Sequence, residues 1–345
     1  MSITLDDLLP SIKQSLNGIG FLFGAGASFQ AGYPLMPTLT RHVVARLTVA
    51  QLADLKTVLT IAGQVYDDAQ ATPNIEEIAD LTIAHSLNSG DVRFSTLEHR
   101  LRELIVEVFL AVPKPDITQH VKFFKALKQR TFGIPTTVWI FTTNYDVLLE
   151  TAAAVAGVRV ENGFSGSTTG FFDPARYREL HGHEDGQRFA PYSGLVVKIV
   201  KLHGSLSWYT ENGQVFERHP DSLLANTSRA IVLPRRRKGM DTLSPPYDQL
   251  FAQAIRTIGN ECKYLISCGF SFGDEHISQL ILLPALQGGK CRLSALCEVD
   301  PPGLLSFKSL PTFRGNFSTH GWLNNNKISD GATDLWRFSE FVDKF

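Results

Sequence analysis

Residues 18–28 read GIGFLFGAGAS: a short apolar run, then glycines at 24 and 26 and a hydroxyl at Ser28. An apolar run bounded by turn residues fits a strand buried on both faces. A Gly-rich turn directly after it, opening a helix, lets backbone amides approach a pyrophosphate at the end of the strand. The dehydrogenase fingerprint would need a third glycine at position 29, where Phe29 stands. It also wants an acid about 20 positions on, where the chain reads VARLT. No G-x-x-x-x-G-K-[ST] loop exists either. Hydride transfer and P-loop ATPase chemistry are therefore disfavoured. Gly24, Ala25, Gly26 and Ser28 stand as a phosphate-facing turn or as a tight turn with no ligand.

Outward from this stretch, residues 4–16 have a helical pattern, capped by Thr4 and with Leu8, Leu9, Ile12 and Leu16 on one face. Residues 49–130 also read as helices, separated by Pro73, the NSGD turn at 88–91 and the prolines at 113 and 115. After residue 131, apolar strands alternate with helices: TVWIFTTN, DVLLETAAAVAG, LVVKIVKLHGS, AIVLP, PPYDQLFAQAIRTIG, KYLISCGFS, DEHISQLILLPALQ, RLSALCEV and ATDLWRFSEFVDKF. SWYTENGQVFER predicts a hairpin turning at Asn212-Gly213, and RVENGFSGSTTGFFDP reads as loop. The expected fold class is α/β, a parallel sheet covered by helices on both faces. Residues 1–48 and 131–345 would build it, with 49–130 as an inserted helical module.

The strand ends hold the polar residues. FTTNYD places Asn144 and Asp146 where a strand gives way to a helix. Open parallel sheets bind ligands at that edge, although Asn and Asp are also ordinary helix caps. KLHGS ends a second strand at His203. Histidine titrates near neutrality and is a natural proton acceptor, or simply a structural side chain. GFSFGD, from Gly269 to Asp274, is another strand–turn–helix junction: Ser271 can donate to a phosphate, and Asp274 can cap the helix. Glu298 and Asp300 close a further strand.

The 345 residues carry a net charge of −1, with 43% hydrophobic and 19% charged residues. That composition suits a folded core and disfavours binding to a polyanion through bulk charge. No apolar stretch reaches the roughly 20 residues of a membrane span. The opening MSITLDDLLP is acidic where an export leader would be basic, so a cytoplasmic protein is expected. The four cysteines, 262, 268, 291 and 297, lack C-x-x-C spacing and fit buried core positions, so no metal is expected at them. The HGHEDG loop, with His181 and His183, reads as solvated. The run at 235–238, RRRK, leaves room for a nucleic-acid or partner contact without requiring one.

Taken in order, GAGAS-x(3)-G-x-P, TTNYD, LHG and GFSFGD resemble the motifs of the sirtuin (silent information regulator) superfamily. The wording FTTNYD, ENGFSG, KLHGSLSWY and GFSFGD-x-H-I is most similar to bacterial sirtuin-like proteins of antiphage defence. Within that group it is most like the sirtuin-like subunit paired with a HerA-type ATPase. The resemblance implies a Rossmann-like NAD-binding domain and NAD+ glycohydrolase activity that depletes NAD. It implies that Asn144 positions water or the nicotinamide ribose, and that Asp146 holds the carboxamide. His203 would be the base, and Ala25, Ser28 and Ser271 would face phosphates. Gly24, Gly26 and Gly269 would shape the cofactor loops, and Glu298 would approach a ribose. NAD would be the substrate. Zinc is not expected, because the paired C-x-x-C sites of classical sirtuins are missing. The alternatives are an NAD- or ADP-ribose-sensing subunit with little hydrolysis, and a protein-lysine deacylase. The resemblance also implies a homo-oligomer docking a hexameric HerA-type ATPase. Ile105, Val106, Val108, Phe109 and Leu110, crowded on one helix, suggest a surface for such assembly.

Overall fold

The computed structural model describes residues 16–218, 228–231 and 245–344. The expected helix at 4–16 lies, but for its last residue, outside the described residues, and the basic run at 235–238 lies wholly outside them.

Sixteen strands are present among the described residues. They are β1 (Ile19–Phe23), β2 (Thr136–Thr142), β3 (Arg159–Glu161), β4 (Phe164–Gly166), β5 (Thr169–Phe172), β6 (Gly182–Asp185), β7 (Arg188–Pro191) and β8 (Leu195–Lys201). There follow β9 (Gly204–Glu211), β10 (Gln214–Arg218), β11 (Ser228–Ile231), β12 (Tyr264–Cys268), β13 (Arg292–Leu296), β14 (Phe313–Asn316), β15 (Gly321–Leu323) and β16 (Asn326–Ile328). Nine form the main sheet, in the order β16-β15-β14-β13-β12-β1-β2-β8-β3. All its pairings from β14 to β3 are parallel, and β15 and β16 extend it antiparallel. Taken in chain order, β1, β2, β8, β12, β13 and β14 occupy positions 3-2-1-4-5-6, the doubly wound Rossmann arrangement. The order reverses between β1 and β12, and such a reversal opens a crevice at the carboxyl edge.

Register makes that edge level. Phe23 of β1 pairs with both Thr142 of β2 and Cys268 of β12, and Thr142 pairs with Lys201 of β8. Four strands therefore end side by side, and the residues following them emerge together.

Alternation decides which side chains face which layer. Ile19, Phe21 and Phe23 share one face with Val138, Ile140, Val197 and Ile199. That face is covered by the helices Thr118–Arg130, Leu148–Val155 and Phe338–Lys344 through Phe123, Phe124, Leu127, Ala152, Phe338 and Phe341. The Phe21 ring meets Phe123 edge-on, with 5.1 Å between centroids. Leu22, Trp139, Phe141 and Leu265 alternate with these residues and are buried too. Helix Tyr247–Thr257 packs against β8.

A second compact unit comprises residues 31–115. Its helices Met36–Val44, Val49–Ile61, Ile75–Ser89 and Val92–Leu110 enclose a core of Leu39, Val43, Leu55, Leu59, Ile78, Leu101, Leu104 and Ile105. The expected module boundaries, 49–130, are therefore corrected at both ends. Residues 31–48 join the module because Leu39 and Val43 pack into its core. Helix Thr118–Arg130 leaves it because Phe123, Phe124 and Leu127 pack on the sheet.

The stretch 159–174, expected to be loop, contains β3, β4 and β5. An antiparallel sheet of five strands, β11-β9-β10-β5-β4, forms around Trp208, which packs on Phe164 and Phe172. The expected hairpin at Asn212-Gly213 is present, both residues having positive φ, 51° and 77°.

Candidate active site

The level edge of the sheet presents four loops. The first two are backbone partners: the Gly24 N–H donates to the Cys268 carbonyl at 3.3 Å, and the Gly26 N–H to the Gly269 carbonyl at 2.9 Å. A Cβ on Gly24 would lie 2.6 Å from the Gly269 oxygen, and one on Gly269, with φ at +68°, 2.3 Å from the Ala27 nitrogen. Glycine is needed at both places because the two backbones touch there.

The TTNYD loop is bonded into the same arrangement. Asn144 Nδ2 donates to the Gly24 carbonyl at 3.0 Å and to Ser28 Oγ at 2.8 Å. Ser28 Oγ donates onward to Asp146 Oδ2 at 2.8 Å. Asp146 Oδ1 accepts the N–H of Leu148, the first residue of the following helix, at 3.0 Å, so the carboxylate bonds both that backbone and the serine. Ser28 and Asp146 are buried, whereas Asn144 is partly open. Beneath them the fully buried Lys201 ammonium donates to the Asp146 carbonyl and pairs with Glu150 at 3.1 Å. A buried ammonium held in this way fixes the backbone that carries Asn144 and Asp146.

His203 lies in the two-residue turn between β8 and β9 and is buried. Its ring lies 6.4 Å from that of Tyr145, the residue between Asn144 and Asp146. Its Nε2 is 2.9 Å from Asp274 Oδ2. Asp274 comes from the GFSFGD junction, and its Oδ1 accepts the His276 and Ile277 N–H groups. The cap expected from sequence exists, and the same carboxylate also meets the histidine.

The structure thus brings together Gly24, Gly26, Ser28, Asn144, Asp146 and Gly269, with His203 on the adjoining strand end. Ala25 and Ser271 are exposed, and Ser271 Oγ accepts the Gly273 N–H at 3.4 Å. Glu298 is exposed beyond the end of β13, where its carbonyl accepts Ser318 Oγ at 2.6 Å. Its neighbour Asp300 is engaged by Lys308 at 2.6 Å and His320 at 3.2 Å. The Asp274–His203 pair, the Ser28–Asp146 bond and the Lys201–Glu150 support were not foreseen from sequence. Only the position of Asp274 at a strand–helix junction hinted at any of them.

All four cysteines are buried and free. Burial raises every thiol pKa, with Cys291 and Cys297 pushed up to about 12. His181 is drawn to Glu161 at 3.1 Å, which Arg176 also contacts at 2.9 Å. Among the described residues no group of three or more His, Cys, Asp or Glu side chains is placed to hold a metal ion. Among them, too, no helix is long and apolar enough to cross a membrane.

Residues 138–283 match a family described as the SIR2-like domain, a span that includes Asn144, Asp146, His203, Gly269 and Asp274. No curated protein matches the chain. Among solved structures it is similar to a Sir2 complex with a p53 peptide and NAD+, at 13% identity and TM-score 0.46, covering 99% of this chain and 97% of that one. It is similar also to Sir2Tm bound to a propionylated peptide, at 12% identity and TM-score 0.44, with coverage of 99% and 97%. Residues 138–283 are thus similar to the SIR2-like domain, and the fold class rests on the strand order given above.

Proposed function

We propose that this protein is an NAD+ glycohydrolase, converting NAD+ and water to nicotinamide and ADP-ribose. The observation that carries this reading is the bonded set Gly24–Asn144–Ser28–Asp146, beside His203 and inside the crevice at the strand-order reversal. The SIR2-like match over three of the four loops at that edge, those with Asn144, His203 and Gly269, supports NAD as the nucleotide.

The chemistry suits these groups. The pyridinium of NAD+ is already activated and leaves as neutral nicotinamide, so no strong acid is required at the leaving group. As the C1′–N bond breaks, positive charge develops on the ribose. Water supplies the oxygen that bonds to C1′, and its proton must be taken up. His203 accepts that proton, or the proton of a ribose hydroxyl. Asn144 offers both a donor and an acceptor to orient the attacking water or the ribose. In this reading Asp146, which now accepts from Ser28, accepts instead from the nicotinamide carboxamide when NAD+ is bound. In this reading the protein acts in bacterial antiphage defence by depleting NAD, gated by self-association and a HerA-type ATPase. The support for that setting is the resemblance of the four motifs.

The test is release of nicotinamide from NAD+, followed by chromatography. Asn144→Ala and His203→Ala should each lower turnover by about a hundredfold or more. Because Asn144 also bonds Gly24 and Ser28, melting curves must show that the variants fold. Wild-type turnover in both folded variants would overturn the site. Product that appears only with an acylated lysine peptide would favour a deacylase.

A further inference from the structure

We infer that Asp274 is the positioning residue for His203, setting both the orientation of the imidazole and which of its nitrogens carries the lone pair. The inference rests on the proposed role of His203 as base. The two side chains meet at 2.9 Å, Nε2 to Oδ2, and each is largely shielded, with side-chain exposures of 7% and 8%. The carboxylate has little freedom to move away. Its Oδ1 accepts the N–H groups of His276 at 3.1 Å and Ile277 at 3.3 Å, and the Asp274 carbonyl accepts the Ser278 N–H at 3.0 Å. Two residues before it, buried Phe272 has φ of +57°, an uncommon conformation for a bulky residue. The chain is bent there, and the bend aims the helix start, with its acid, at the end of β8. A helix cap alone needs one oxygen; here the second is directed at a histidine on a different strand.

The consequence for the chemistry is specific. An ionised carboxylate only accepts, so Nε2 must bear the hydrogen, and the lone pair falls on Nδ1. Nδ1 is then the atom that takes a proton. The carboxylate stabilises the imidazolium that forms, the role an aspartate plays behind the histidine of hydrolytic triads. Nothing is transferred to Asp274 itself.

Asp274→Asn separates this role from capping. The amide oxygen can still cap the helix, which turns the NH2 group toward His203. A donor facing Nε2 forces the lone pair onto Nε2 and the hydrogen onto Nδ1. We expect a folded protein whose kcat for nicotinamide release falls about a hundredfold or more, with KM within about threefold. The 15N shifts of the His203 ring, assigned by difference against His203→Ala, should report Nε2–H in the wild type and Nδ1–H in Asp274→Asn. Asp274→Ser, which also caps but is too short to reach the ring, should lose kcat as well. Wild-type kcat in folded Asp274→Asn, or an Nδ1–H ring in the wild type, would overturn the inference. Full activity in His203→Ala would instead overturn the base assignment. The ring shifts need no turnover and would still decide whether Asp274 holds His203.

Discussion

His120 lies on the buried side of helix Thr118–Arg130, its ring 4.6 Å from Phe338, and its Nδ1 has no hydrogen-bond partner among the described residues. Burial pushes its pKa from 6.5 down to about 4, against a weaker opposing pull from Asp116. The unfolded chain therefore binds a proton at this residue near pH 6.5, and the folded chain only near pH 4. Stability from the neutral ring is whole above pH 6.5 and is lost as the pH falls toward 4, by roughly 3 kcal/mol at full extent. Urea titrations at pH 7 and pH 4.5 should show that His120→Leu loses less stability between the two than the wild type. Equal losses would mean that the ring takes up its proton without unfolding. At this same scale the candidate site was half legible. Asn144, Asp146 and His203 could be picked out because each stands just past a strand end, where open parallel sheets bind ligands, and Ser28 because it closes the Gly-rich turn after β1. The partner of His203 could not be, because Asp274 satisfies every rule for a helix cap and nothing in the local sequence shows its second oxygen in use.

Among the elements, helix Ile75–Ser89 of the module starts with a reciprocal cap. Asn74 Oδ1 accepts the N–H groups of Glu76 and Glu77, and the Glu77 carboxylate accepts the Asn74 N–H at 3.0 Å. Removing such a cap costs about 1 kcal/mol. Asn74→Ala should lower the unfolding free energy from urea titration by that amount, while Asn74→Ser should stay close to the wild type; an unchanged Asn74→Ala would show that the cap is idle. Elements with a strong period were legible. The strands Thr136–Thr142 and Leu195–Lys201 are mostly apolar and almost wholly buried because both of their faces are covered, and the helices at 75–89 and 92–110 show an apolar stripe. The strands β3, β4, β14, β15 and β16 were missed for one physical reason. Each has only three or four residues, several of them half-exposed, so alternation has no length in which to appear. The junction after Asp274 reads as one helix in sequence, yet it opens as a π-helical turn over Ile277–Leu282 before α-helix resumes at Leu283–Gln287. Such turns recur beside functional sites, and this one begins three residues from the acid that meets His203.

For the whole molecule, the proposed function raises the question of how an enzyme that consumed NAD would be kept from doing so continuously. In the proposed reading the reacting groups are Asn144, Asp146 and His203, bonded to Ser28, Gly24 and Asp274 of the same chain. Control would then act on access to the crevice or on the positions of its loops, through contacts made elsewhere. The helix first singled out for such contacts argues less for them than its sequence did. Ile105, Val106 and Val108 are buried within this chain, and only Leu110, at 56% exposure, stays open. Other apolar side chains of the module are more open: Val49, Leu87 and Val92 are each more than 70% exposed. Single exposed residues of this kind are common on monomers and do not make an interface by themselves. The case for assembly therefore rests on the motif resemblance and on the need for restraint. Our proposal is a homo-oligomer whose NAD turnover is set by a HerA-type hexameric ATPase. Light scattering should give a mass that is a multiple of the 38.2 kDa chain. Adding the ATPase, with and without ATP, should change nicotinamide release at least severalfold, while His203→Ala stays inactive in every mixture. A 38.2 kDa species with the same turnover in the presence and absence of the ATPase would overturn the gating while leaving the hydrolase intact. The two proposals are thus separable: the first places the chemistry at the strand ends, and the second places the control on surfaces outside them.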